Sequence, residues 1–99
     1  MITVTIEKSR IKASGHAGTA PKGQDLVCAA FTMLCHSLIE SFRKLTADSF
    51  IYKIDSGSFY FECALPSGQG ELLINSYIAG VQLLEASYPK YITVQAWNS

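Results

Sequence analysis

Over Met1 to Glu7 the chain alternates, with Ile2, Val4 and Ile6 on one side and Thr3, Thr5 and Glu7 on the other. This period of two is that of a half-buried strand. Arg10 to Ala17 predicts a second strand, and Lys8-Ser9 between them suits the tight connection of a hairpin. Gly18-Thr-Ala-Pro-Lys-Gly23 then sets two glycines and a proline among polar residues, which predicts a mobile loop.

From about Asp25 to Leu45 the period changes. Val27, Phe31, Leu34, Leu38, Phe42 and Leu45 recur at intervals of three and four and define one stripe on a helix. Phe50–Ile54 and Ser58–Leu65 are rich in aromatic and β-branched residues, and the Asp55-Ser56-Gly57 turn joins them into a second hairpin that Pro66 terminates. A second helical stripe begins near Glu71 and carries Leu73, Tyr77, Val81, Leu84 and Tyr88. Gly80 offers a place for close backbone approach, and Pro89 enforces a stop. Tyr91 to Trp97 reads as a last strand. The order ββαββαβ predicts an α+β fold in two layers, a largely antiparallel five-stranded sheet packed with two helices.

Ninety-nine residues, 48% of them hydrophobic, suit one domain over residues 1–99 with a single modest core. A cleft in so small a domain gains from completion by a second copy, so a homodimer is expected. Eight basic and eight acidic residues cancel, which disfavours the phosphate backbone of a nucleic acid as partner. The local excess of Lys8, Arg10, Lys12 and Lys22 reads as a solvated strand face. No signal-peptide pattern opens the chain, and no uninterrupted apolar run reaches the ~20 residues of a bilayer span, so the cytoplasm is the default expectation.

The three cysteines include no CxxC pair, which argues against a disulfide framework and a zinc ribbon. His16, Cys28, Cys35 and Cys63 have no recognisable metal-ligand spacing. Cys28 falls in or beside the first turn of the predicted helix, where unpaired backbone N–H groups and the macrodipole favour a thiolate and suit an oxyanion. It sits roughly 60° from the centre of the apolar stripe, at the border with the polar face. Asp25 and Thr32 fall on the same edge, although capping alone would also account for Asp25. His16, at the end of the second strand, is the candidate base, but a separation of twelve residues does not by itself bring it to the thiol. Cys35 and Cys63 read as core, and His36 as a surface residue.

Two stretches, Gly15-His-Ala-Gly18 and Gly23-Gln-Asp-Leu-Val-Cys-Ala-Ala30, resemble in order, spacing and identity the paired motifs of the ribosomal-processing cysteine protease (Prp) family. The resemblance implies a homodimeric endopeptidase that removes the N-terminal extension of a bacterial large-subunit ribosomal protein (bL27-like), so that a ribosomal protein precursor is the substrate. By matching position it implies catalytic roles for His16 and Cys28, supporting or substrate-binding roles for Gly15, Gly23, Asp25 and Thr32, and no metal or organic cofactor. The family usually carries serine where this chain has Thr32. Asp25 is the nearest candidate for a third, orienting residue. Two other readings are a non-catalytic peptide-binding module and a cysteine hydrolase acting on another acyl substrate.

Overall fold

The computed structural model describes the backbone of residues 1–15 and 22–97, and the side chains within them apart from those of residues 22–25 and 97. Its elements are β1 (Ile2–Glu7), β2 (Arg10–Ser14), α1 (Lys22–Leu45), β3 (Ile51–Asp55), β4 (Ser58–Glu62), α2 (Gly68–Ser87) and β5 (Ile92–Trp97). The predicted order ββαββαβ therefore holds. The five strands form one sheet in the order β3-β4-β2-β1-β5, antiparallel throughout except where β5 runs parallel to β1.

That register has a topological consequence. β2 and β3 run in the same direction with β4 between them, and β4 and β5 run in the same direction with β2 and β1 between them. Each pair needs a crossover connection, and each crossover is a helix, α1 for the first and α2 for the second.

Both helices lie against the sheet face that carries Ile2, Val4, Ile6, Ile11, Ala13, Phe59, Phe61 and Ile92, all buried. The opposite face is polar, with Arg10 reaching Glu62 at 3.4 Å and the Tyr60 hydroxyl donating to Glu62 at 2.6 Å. Arg10 and Lys12 thus sit on a solvated strand face, as their alternation predicted.

Both hairpins close through residues of positive φ. Lys8 adopts φ 55° in the β1–β2 connection and Gly57 φ 84° in the β3–β4 turn. Phe42 of α1 meets Phe61 edge-on at 4.9 Å between centroids and Phe50 at 5.5 Å, fastening the C-terminal end of the helix to β4 and the chain before β3. Over Leu26–Leu45 helix α1 reaches a mean hydropathy of 1.3 and the length of a bilayer span. Its apolar face is spent on the sheet through Val27, Phe31, Leu38 and Phe42, while His36, Glu40, Arg43 and Lys44 are exposed.

Several boundaries differ from the sequence reading. β2 ends at Ser14, not Ala17, because Gly15 turns the chain at φ 106° and spends its N–H on Gly57 O at 3.0 Å. β4 ends at Glu62 rather than Leu65, four residues before Pro66. α2 starts at Gly68 instead of Glu71, because Ser67 caps it by accepting from the Gly70 N–H at 3.1 Å. Asp48 holds that cap in turn, accepting from both the Ser67 N–H and its hydroxyl at 2.9 Å.

The most consequential shift is in α1, which starts at Lys22 and not at Asp25. Lys22 and Gly23, expected in a loop, are helical. Leu45, assigned to the stripe, is 63% exposed at the helix end. Tyr88 lies beyond the last turn of α2 and is also exposed, whereas Ile74, outside the predicted stripe, is buried.

Candidate active site

A cavity of about 500 Å³ opens at the carboxyl ends of β2 and β3, between one edge of α1 and the β3–β4 turn. This is a volume ordinary for a ligand cleft. Ile2, Ala13, Phe31 and Phe59 give it an apolar lining. Cys28, Thr32 and His36, spaced four residues apart along α1, line one side, and Ile54 to Ser58 line the other. The place follows from the topology: the chain leaves β2 here to begin the crossover through α1, so the helix edge and the strand ends face each other across a gap.

Gly15 closes the near end of that gap. A Cβ at this residue would overlap the Met1 carbonyl oxygen, and its φ of 106° lies where L side chains are strained. Glycine is therefore required here by close backbone approach, independently of any chemistry.

Cys28 is half-buried, packed against the core on one side and open to the cleft on the other, as its position at the border of the apolar stripe predicted. Its position along the helix differs from the expectation. Cys28 is the seventh residue of α1, about 9 Å along the axis from the first. The unpaired first-turn amides belong to residues 22–25, while the Cys28 N–H falls within the i→i−4 ladder. The macrodipole's influence fades beyond the first turn. First-turn donors therefore do not act directly on this sulfur, which corrects the sequence-based account of thiolate and oxyanion stabilisation.

The other two thiols are placed in the core, as expected. Cys35 is 1% exposed beneath the cleft, with its sulfur 3.4 Å from the Tyr77 hydroxyl. Burial pushes the Cys35 thiol up to about 12, the contact with Tyr77 offsetting part of the effect. Burial likewise raises the Tyr77 hydroxyl well above its ordinary range. Cys63 is wholly buried in the core cluster, and burial and then the charge of Asp48 raise its thiol. Neither has the exposed, ionisable character of a nucleophile.

The structure thus brings together Gly15, Cys28 and Thr32 of the predicted site. Gly23 and Asp25 are in the first turn of α1 by backbone, but the side chain of Asp25, like the whole of His16, lies outside the described residues. The same holds for residues 18–21 of the expected loop. Among the described residues no group of three or more His, Cys, Asp or Glu side chains could hold a metal ion.

The sequence reading missed two features of the site. His36 is exposed, as expected, but the surface it occupies is the wall of the cleft; the spacing Cys28, Thr32, His36 carried that signal. The β3–β4 turn as the facing wall had no signal within its own residues, since it depends on sheet order.

The sequence model of the family described as Cysteine protease Prp matches residues 1–93 of this chain. The chain is 30% identical over 97 residues to the ribosomal processing cysteine protease Prp of Mycoplasma pneumoniae, covering 96% of this chain and 94% of that protein. It is 31% identical over 109 residues to the protein of the same name from Bacillus subtilis, covering 95% and 96%. Among solved structures, the fold is similar to that of the essential ribosomal processing protease Prp of S. aureus in complex with a covalently linked product peptide. The TM-score is 0.87 at 22% identity, with 98% of this chain and all of that chain covered. It is also similar to SMU.848 from Streptococcus mutans, with a TM-score of 0.81 at 21% identity and 99% and 93% coverage.

Proposed function

The chain belongs to the ribosomal-processing cysteine protease Prp family, and on that premise we propose that Cys28 and His16 carry out its peptide hydrolysis as a dyad. The observation that carries the assignment is the distribution of the thiols: Cys28 opens to the cleft, while Cys35 and Cys63 are buried in the core with thiols raised by desolvation. His16 follows Gly15, a residue of the cleft lining, directly in the chain.

In this mechanism the Cys28 sulfur attacks the scissile carbonyl carbon as His16 takes the thiol proton. Collapse of the tetrahedral species breaks the C–N bond, His16 gives its proton to the departing amine, and a thioester forms between the acyl fragment and Cys28. Water, deprotonated by His16, hydrolyses that thioester and restores the thiol. The apolar lining and the Thr32 hydroxyl position an extended peptide alongside α1. The reaction needs no cofactor.

The substrate is the precursor of a large-subunit ribosomal protein of the bL27 type, from which the N-terminal extension is removed in the cytoplasm. Both named relatives are ribosomal processing proteases, and the S. aureus structures hold product and substrate peptides. Residues 1–99 act as a single protease domain. A homodimer suits the exposure of Leu26, Met33, Leu72 and Leu83 on the two helices, each more than 60% exposed.

Mass spectrometry of an extended ribosomal protein incubated with the enzyme tests the reading directly. One cleavage at the extension is expected from the wild-type protein, and none from Cys28→Ala or His16→Ala with fold retained. Undiminished cleavage by Cys28→Ala would reject the assignment.

A further inference from the structure

The cleft extends further along α1 than the chemistry at Cys28 requires. Its helical wall continues from Cys28 through Thr32 to His36. Eight residues at a rise of 1.5 Å place His36 about 12 Å down the axis from Cys28. That is roughly four times hydrogen-bond reach, so His36 cannot serve as the base for this thiol. A peptide lying extended in the cleft advances about 3.3 Å per residue. An extended peptide running along α1 from Cys28 would bring the residue three or four positions from the scissile bond beside His36.

We propose that His36 is a substrate-binding residue that donates a ring N–H to a main-chain carbonyl of the bound peptide, three or four residues from the bond that is cut. The proposal rests on the protease reading above. Three observations argue for recognition of the main chain. His36 is an exposed donor on the cleft wall with no hydrogen-bond partner among the described residues. The polar side chains that share the cleft with it include the hydroxyls of Thr32 on the helix and of Ser56 and Ser58 opposite, which suit peptide groups, while the one carboxylate on that wall, Asp55, lies 3.8 Å from Lys53 Nζ. The lining beneath them is apolar, so a hydrogen bond made above it is partly shielded from water.

The test uses synthetic peptides spanning the junction of an N-terminally extended ribosomal protein. One peptide is cut to two residues on each side of the scissile bond, and two others are extended to five residues on one side or the other. In the wild-type protein one of the extended peptides is expected to gain on the order of fivefold in kcat/KM over the short one, the worth of a single neutral hydrogen bond. In His36→Ala that ratio falls to near one, with the loss in KM, because a contact remote from the reacting atoms binds ground state and transition state alike. His36→Gln, which keeps a donor, recovers part of the ratio, while Lys12→Ala, on the polar face of the sheet, keeps all of it. A wild-type ratio in His36→Ala overturns the proposal and leaves the protease reading standing. Failure of the wild-type protein to cut any of the three peptides overturns both.

Discussion

Selective alkylation puts the assignment of the nucleophile to a quantitative test. In the folded protein Cys35 is held with its thiol raised from 9.0 to about 12 by burial. At pH 8, three units reduce the thiolate available to an alkylating reagent by about 10³ relative to a thiol at the ordinary value, since only the thiolate reacts. The more basic thiolate is intrinsically more nucleophilic, which returns a factor of about 15 to 30. The net penalty is roughly thirty- to seventyfold before access is considered. Access adds to it, because Cys35 is 1% exposed and Cys63 not at all, whereas Cys28 opens to the cleft. Brief treatment with iodoacetamide at pH 8, quenching and peptide mapping by mass spectrometry should therefore find a single modification, at Cys28, with cleavage activity falling in step. In 8 M urea all three cysteines should be modified. Labelling of Cys35 or Cys63 in the folded protein at the rate of Cys28 would refute the reasoning. So would full activity after stoichiometric modification of Cys28.

Two further predictions concern how the site is held. Gly15→Ala forces an L residue to φ 106° and its methyl into the Met1 carbonyl oxygen; at about 1–2 kcal/mol for the backbone alone, Tm should fall by about 8 °C or more, and a shift below about 2 °C on thermal unfolding would contradict the close approach. Asp48→Ala removes both hydrogen bonds that hold the Ser67 cap; a loss of about 1–3 kcal/mol follows in chemical denaturation, partly recovered in Asp48→Asn, which keeps an acceptor.

What could be read from the chain and what could not separate along physical lines. The alternation of Ile2, Val4 and Ile6 and the three-four spacing of Val27 to Phe42 are local periodicities imposed by one buried face, and they gave the elements and most of the core. The border position of Cys28 on its stripe was local in the same sense, and so was the burial of Cys35. Boundaries failed where tertiary contacts override local preference. Gly15 ends β2 because Met1 and Gly57 crowd it, and α2 begins early because Asp48, nineteen residues before Ser67, orients its cap. The parallel β1·β5 pairing and the wall formed by Ile54 to Ser58 depend on strand order, which no single segment encodes. Half of the proposed dyad, His16, was legible only as a motif, since its approach to Cys28 is a matter of geometry across a glycine-rich stretch and not of period.

The start of α1 at Lys22 changes which forces can activate the thiol. Had the helix begun at Asp25, Cys28 would have shared the first turn with unpaired amides, and ionisation could have been a property of the helix alone. At the seventh position, about 9 Å along the axis, that source is reduced to a remnant, and the proposed reading turns on a charged partner instead. On the proposed mechanism that partner is the His16 imidazolium, and the two sources separate by experiment. An isolated thiol is only about 0.3% ionised at pH 6. If an ion pair with His16 maintains the thiolate, His16→Ala should slow alkylation of Cys28 at pH 6 on the order of tenfold or more. The difference should close by pH 10, where an accessible thiol of ordinary acidity is largely ionised. Equal rates at pH 6 in the wild-type protein and His16→Ala, with Cys28 still reacting faster than a small thiol in solution, would return the activation to the helix and strip His16 of that role.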